Sequence, residues 1–137
     1  MKRILCLLTV LSLLFSVSVL PIHASSLSNA RWINTHDVVI AHKYYYGDAS
    51  CCVSITGYSN AVVTNVDISF DQVTGAGLIN LATWNDLSSG EEFLFLEMVP
   101  NVEVDCIYRL SFTADIVRNG VVETISDYLD LFYTEDM

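Results

Sequence analysis

Basic residues are scarce in this sequence. Six Lys and Arg stand against 16 Asp and Glu, and the formal net charge is −10. Two of the six bases lie at positions 2 and 3, so the remainder of the chain keeps only four. A chain this acidic repels phosphate backbones, which argues against nucleic-acid binding. The same charge argues against an effector directed at anionic membranes, since such proteins are usually basic.

Long apolar runs are missing except at the N-terminus. Ile4 to Leu20 are almost wholly apolar, follow two basic residues and precede the small residue Ala24. This is the order of segments in a secretory signal peptide. We therefore predict a signal peptide over residues 1–24 that is cleaved after Ala24, one domain over residues 25–137, and an extracellular location. A retained membrane anchor is the alternative, because the run approaches the length that spans a bilayer.

The 3.6-residue apolar repeat of a helix is also missing after residue 24. Short runs rich in Val, Ile, Tyr and Phe are instead separated by turn signals about every ten residues, a spacing typical of antiparallel β-sandwiches. Between residues 61 and 70, Val66, Ile68 and Phe70 are predicted to point inward, with polar residues between them. Glu91 to Met98 is apolar on both faces, which predicts a central strand. The predicted fold is all-β, a single antiparallel β-sandwich of seven to eight strands.

The clearest hairpin lies in the last third of the chain. Tyr108 to Ile116 alternates apolar and polar side chains, as a half-buried strand does. Asn119-Gly120 follows, and a second run extends from Val121 to Tyr133. Both central residues of a type I′ turn need a positive φ, which Asn and Gly tolerate, so we predict the turn at this dipeptide.

The same region carries a resemblance to a known fold family. The residues concerned are Tyr108, Leu110, Phe112 and Ala114, followed by Asn119-Gly120, Glu123 and Ser126. They resemble the last strand pair of fibronectin type III and related immunoglobulin-like sandwiches, which implies that fold but no activity. The antibody-type order of Cys, Trp and Cys is present as Cys51, Trp84 and Cys106, although Trp84 lies farther from Cys51 than in antibody domains. In plan, the whole chain also resembles small secreted proteins of unknown function from Gram-positive bacteria.

After export, three cysteines would remain in an oxidising compartment, where disulfides persist. The two-residue repeat of strands places Cys51 inward with Val53, and Cys52 outward. Cys106 shares the inward parity of Tyr108. We therefore predict a Cys51–Cys106 disulfide that leaves Cys52 exposed. Three reduced cysteines, buried as small hydrophobic residues, are the alternative.

Aromatic residues are the best candidates for a functional surface. Tyr44, Tyr45 and Tyr46 are consecutive, and on a strand Tyr45 must point away from its two neighbours. At least one of these tyrosines should therefore face solvent. Together with Trp32 and Trp84 they form the predicted binding surface for an extracellular glycan, peptide or surface protein, because exposed Tyr and Trp are enriched at such surfaces. Packing of the same rings within the fold is the alternative.

The sequence contains no recognised motif for catalysis, for a metal or for a cofactor. His36 and His42 lack a known ligand spacing, and a strongly acidic chain offers no electropositive surroundings to activate a cysteine. Scattered carboxylates could hold calcium weakly, but no Asp-x-Asp-x-Asp-Gly loop is present. We therefore expect a non-enzymatic binding module without cofactor, as a monomer or a disulfide-linked dimer. The alternatives are an assembly protein that links copies through Cys52 or an open sheet edge, and a bacteriocin-like secreted effector.

Overall fold

The computed structural model of the protein describes residues 32–135, which form seven β-strands. The strands are β1 Thr35–Tyr45, β2 Asp48–Gly57, β3 Val62–Thr74, β4 Gly77–Leu87, β5 Glu92–Val99, β6 Ile107–Arg118 and β7 Val121–Phe132. The predicted signal peptide and its cleavage site lie outside the described residues. Within residues 32–135 there is no helix with the length and apolarity needed to cross a membrane.

The strands are divided between two antiparallel sheets. One sheet has three strands in the order β1-β2-β5, and the other has four in the order β4-β3-β6-β7. The core lies between them and is built from alternate residues of both sheets, because successive side chains of a strand point to opposite faces. The prediction of an all-β fold of antiparallel strands is confirmed, with seven strands among the described residues.

The predicted facing of the central strands is also confirmed. In β3, Val66, Ile68 and Phe70 are buried, as the alternation indicated. In β6, the inward positions include Tyr108 and Leu110, and the ring of Tyr108 stacks on Phe70 with 5.4 Å between ring centroids. Apolar burial of this kind is the main favourable contribution to the stability of the fold.

Two hairpins end in turns of the same backbone geometry. At the predicted Asn119-Gly120 turn the two φ angles are 51° and 76°, both positive, as the type I′ assignment requires. The second turn is Tyr46-Gly47, where φ is 50° and 86°. β1 and β2 extend up to this dipeptide, so that Tyr45 pairs with Asp48.

β5 corrects the prediction of a central strand. It lies at the edge of the three-stranded sheet and pairs only with β2 among the described strands. Its inward residues Phe93 and Phe95 are buried, whereas Leu94, Leu96 and Met98 point outward and are exposed. The strand is therefore apolar on both faces, but within the part of the chain that the structure describes only one of these faces is covered.

The predicted Cys51–Cys106 disulfide is absent, because Cys51, Cys52 and Cys106 are all free. Cys51 points inward from β2 and is fully buried, and Cys52 points outward, as predicted. Cys106 precedes β6 and follows Asp105, whose φ of 61° interrupts the strand alternation. Its Sγ accepts a hydrogen bond of 3.1 Å from Gln72 Nε2 on β3, within its own sheet. Burial raises the pKa of Cys51 to about 12, so this thiol stays protonated.

Candidate functional site

A groove at one end of the sandwich is the candidate site. It forms where three segments meet: the β1–β2 turn, the connection between β5 and β6, and the residues that follow β7. Its volume is about 880 Å³. The lining residues are Tyr45, Tyr46, Gly47, Val102, Glu103, Val104, Tyr133 and Glu135. A concave surface that combines apolar side chains with a few polar ones is the usual form of a ligand site.

Hydrogen bonds fix the three segments to one another. Gly47 accepts a backbone hydrogen bond of 2.8 Å from Val102, and its own N–H donates to the hydroxyl of Tyr133 over 3.1 Å. The ring of Tyr133 stacks on Tyr44, with centroids 4.5 Å apart and an angle of 14° between the planes. The backbone of the groove is therefore held in place before any ligand arrives.

Tyr46 projects from the rim of this groove. Its side chain is fully exposed, and its φ of 50° lies in the left-handed region. A left-handed conformation costs an L-residue other than Gly, Asn or Asp about 1–2 kcal/mol. Turn chemistry favours Asn at this position of a type I′ turn, so a tyrosine here is not explained by folding. Unfavourable backbone conformations of this kind concentrate at binding and active sites.

Two carboxylates give the groove an acidic character. Glu103 is held by the hydroxyl of Tyr108, which donates to Glu103 O over 3.0 Å and accepts from Glu103 N over 2.7 Å. Those bonds involve only the backbone of Glu103, so its carboxylate is left exposed at the groove with that of Glu135. Among the residues that the structure describes, no basic side chain lines the groove, so the field of these carboxylates attracts cations and hydrogen-bond donors.

The structure brings Tyr45 and Tyr46 to the groove but places Tyr44 in the core. Tyr44 is 2% exposed, and its hydroxyl lies 3.0 Å from His42 Nδ1 and 3.2 Å from the carbonyl oxygen of Leu131. Burial raises the pKa of Tyr44 well above its ordinary value. As predicted, Tyr45 points away from Tyr44. Tyr44 supports the groove from beneath and is not available to a ligand in this conformation.

The two tryptophans lie away from the groove. Trp32 precedes β1, and this eleven-residue strand separates it from the turn. At the rise of an extended chain the strand is roughly 30 Å long or more. Trp84 lies on β4, is half-buried, and packs edge-to-face on Phe95 with 4.8 Å between ring centroids. The five aromatic residues singled out in the sequence therefore do not form one continuous surface.

The histidines have separate environments. His36 is exposed near Tyr58, whereas His42 is buried between the sheets, where its Nε2 donates to the carbonyl oxygen of Leu129 over 3.1 Å. Burial lowers the pKa of His42 to about 4, so the ring is neutral at pH 7. Within residues 32–135 no three His, Cys, Asp or Glu side chains are close enough to hold a metal ion.

Of the eight residues that line the groove, only Tyr45 and Tyr46 were identified in the sequence. Val102, Glu103, Tyr133 and Glu135 are remote from the tyrosine run and join it only through contacts between distant segments. One signal was available. Tyr46-Gly47 stands between two strand-like runs in the place where Asn-Gly would be usual, and this could have indicated a tight turn that displays a tyrosine.

The sequence matches no protein-family model and no curated protein. Among solved structures it is similar to Spo0M, the sporulation control protein of Bacillus subtilis, with a TM-score of 0.48 and 16% identity. The match covers 74% of this chain and 50% of that chain. A β-glucuronidase of Parabacteroides merdae gives a TM-score of 0.43 and 11% identity over 69% of this chain and 13% of that one. A putative β-galactosidase of Bacteroides fragilis gives a TM-score of 0.37 and 17% identity, and the match covers 67% of this chain and 15% of that one. The chain thus spans half or less of each of these proteins, and no family follows from the similarities.

Proposed function

We propose that the protein is an exported, non-enzymatic binding module that recognises an extracellular glycan, peptide or protein through the groove at Tyr45 and Tyr46. Tyr46 is the observation that carries the proposal. It is fully exposed, it stands in an unfavourable backbone conformation, and it borders a groove whose backbone is already fixed. A ligand that stacks on the ring would supply the reason for a tyrosine at this position.

The proposed fold class is an immunoglobulin-like sandwich of the fibronectin type III kind. Two observations support it. The first is the division of the strands into β1-β2-β5 and β4-β3-β6-β7. The second is the hydroxyl of Tyr108 near the start of β6, which bonds to the backbone of Glu103 five residues upstream, as the tyrosine corner of such sandwiches does. Export rests on the signal-peptide pattern of residues 1–24.

The groove favours ligands that present apolar surface together with hydrogen-bond donors or positive charge. Tyrosine rings stack on sugar rings and on the side chains of Lys and Arg. The carboxylates of Glu103 and Glu135 accept hydrogen bonds from hydroxyl or ammonium groups. The strong negative charge of the chain disfavours sulfated or otherwise anionic ligands. Neutral glycans and basic peptides are therefore the first two classes to test.

The test is a binding screen followed by a single substitution in the turn. The purified protein is applied to arrays of neutral glycans and basic peptides, and the affinity for each hit is measured by titration calorimetry. Replacing Tyr46 with Asn keeps a residue suited to the turn but removes the ring, so we expect affinity to fall by about tenfold or more. Tyr128→Thr is the matched control, because Tyr128 is also an exposed tyrosine but lies on β7, outside the groove.

Salt and charge then separate the two ligand classes. Glu103→Gln removes one carboxylate and leaves the backbone bonds to Tyr108 available. A basic peptide should bind more weakly to this variant and at higher salt, whereas a neutral glycan should show little salt dependence. Unchanged affinity in Tyr46→Asn would exclude the groove as the site, as would an equal loss in Tyr128→Thr.

A further inference from the structure

The outward face of the three-stranded sheet is apolar and uncovered. On β5, Leu94, Leu96 and Met98 are 72%, 65% and 52% exposed, and Val39 on β1 is 47% exposed. A strand that is apolar on both faces is usually covered on both. Among residues 32–135 of a single copy, only the inward face of β5 is covered, so the surface that completes the second face is not part of this segment.

The strand registers arrange the outward residues in four rows across the sheet. From one end to the other, the rows are Asp37-Thr56-Glu92, Val39-Ser54-Leu94, Ala41-Cys52-Leu96 and Lys43-Ser50-Met98. The first row carries two acidic residues and the last row carries one basic residue. The two middle rows are uncharged and contain the exposed leucines.

We propose that this face binds the same face of a second copy in a two-fold symmetric dimer. The axis lies in the plane between the facing three-stranded sheets of the two copies. It runs perpendicular to the strands, parallel to the rows, and passes between the two middle rows. It brings the first row of one copy opposite the last row of the other. Lys43 then faces Asp37 of the second copy, twice by symmetry, and Leu94 faces Leu96. The face is thus complementary to itself at Asp37 and Lys43 and in its apolar middle rows, as a two-fold interface requires, whereas Glu92 faces Met98 at each end.

The size of the face sets the expected strength of the dimer. Three strands and four rows cover roughly 20 by 15 Å at standard strand spacings, or about 600 Å² over both copies, which is smaller than a stable specific interface and fits a weak, transient contact. The dissociation constant should therefore lie in the high micromolar range. A dimer of this strength forms at high local concentration, for example at a cell surface, and would present two copies of the groove.

The proposed dimer does not need a disulfide. In this register Cys52 faces Ser54 of the second copy, and the two Cys52 residues are displaced along the strands. Packed sheets are also about 10 Å apart, whereas a disulfide requires Cα atoms within about 7 Å. The dimer should therefore persist in reductant, unlike one linked through Cys52.

Sedimentation equilibrium in the presence of reductant tests the proposal, with protein from about 1 to 500 μM so that a micromolar dimer dissociates within the range. We expect a reversible monomer–dimer equilibrium. Leu96→Lys places a charge in the middle of the contact and should weaken association by about tenfold or more. Leu78→Lys is the matched control and should leave association unchanged, because Leu78 is also an exposed leucine but lies on β4 of the other sheet.

Charge reversal tests the two-fold register itself. Asp37→Lys places two basic groups opposite each other at both ends of the interface, and Lys43→Asp does the same with two acidic groups. Each single change should weaken the dimer by roughly tenfold. The double variant Asp37→Lys with Lys43→Asp restores both attractive contacts and should recover the wild-type constant. Recovery also shows that the single variants were folded.

Four results would overturn the proposal. A monomer over the whole concentration range would exclude a second copy as the partner of this face. A dimer that disappears in reductant would place the link at a cysteine. A dimer that Leu96→Lys leaves intact would place the interface elsewhere, and loss in both single charge variants without recovery in the double variant would exclude this two-fold register.

Discussion

The two type I′ turns of the molecule have nearly the same backbone but opposite relations to their sequence. Asn119-Gly120 has φ angles of 51° and 76°, and Tyr46-Gly47 has 50° and 86°. The first uses the residues that tolerate those angles best, whereas the second places a bulky tyrosine where Asn would be favoured. The backbone conformation alone therefore accounts for Asn119-Gly120, whereas it does not account for the tyrosine in Tyr46-Gly47.

The side chains that pack near the two turns also differ in chemical type. Near Asn119-Gly120 the contacts are polar: the carboxylate of Glu123 accepts bonds from Asn34 N over 3.0 Å and Thr35 Oγ1 over 2.9 Å. Near Tyr46-Gly47 they are aromatic, since the rings of Tyr44 and Tyr133 stack beneath the turn. The aromatic support allows the strained turn to be held rigidly without using the exposed ring of Tyr46.

The largest effect is expected from removing the aromatic support. Tyr44→Ala empties a buried aromatic site and removes the hydroxyl that lies within hydrogen-bond distance of His42 and Leu131, so the free energy of unfolding should fall by about 3–5 kcal/mol. Tyr45→Ala, at the adjacent exposed position, should cost less than about 1 kcal/mol. Urea unfolding followed by fluorescence measures both. Equal losses in the two variants would mean that Tyr44 is not the support of this turn.

A smaller, pH-dependent effect is expected at His42, which bonds to Tyr44. Its pKa is 6.5 when unfolded and about 4 in the fold. The unfolded chain therefore binds more protons between these values, and stability is lost as the pH falls from about 6.5 to about 4. The loss attributable to His42 should reach about 3 kcal/mol at pH 4.

The matched measurement is the same pH series on His42→Gln. This variant should be less stable at pH 7 but should vary less between pH 6.5 and pH 4. The hydrogen bond from Arg109 lowers the pKa of Asp130 below its ordinary value of 3.8. Protonation of this carboxylate therefore changes the free energy of unfolding only at more acidic pH. Identical pH slopes for the wild-type protein and the variant would contradict the role given to His42.

Local alternation was enough to predict much of the fold. The inward residues of β3 and β6, the opposite facing of Cys51 and Cys52, and the turn at Asn119-Gly120 all depend on a two-residue period or on φ preferences within a few residues. Because these signals are local, the predictions based on them do not require knowledge of which strands pair.

Features that depend on distant segments were not predictable in the same way. An apolar pattern on both faces of β5 indicates burial, but it does not state whether the covering surface belongs to the same copy. The tyrosine run indicated an exposed ring without indicating that Tyr44 is the buried one. The groove depends on contacts such as Gly47 with Val102, which no short stretch of sequence contains.

The smallest effect in stability is the most informative for the comparison of the two turns. Tyr46→Asn replaces a strained residue with one suited to the left-handed region, and no packing is lost because the ring is fully exposed. The free energy of unfolding should therefore rise by about 0.5–1 kcal/mol, whereas affinity for the proposed ligand should fall by about tenfold or more. The reciprocal change Asn119→Tyr should lower it by a similar amount, because it introduces the same strain at a turn of the same geometry.

Urea midpoints of the wild type, both single variants and the double variant measure this exchange. The two turns lie at opposite ends of the sandwich, so their effects should add, and the double variant should return close to the wild-type midpoint. If Tyr46→Asn destabilised the protein, the ring would contribute to folding and its exposure would need no ligand to explain it. A stabilised variant that has lost binding would instead identify Tyr46 as a residue kept for recognition at a cost in stability.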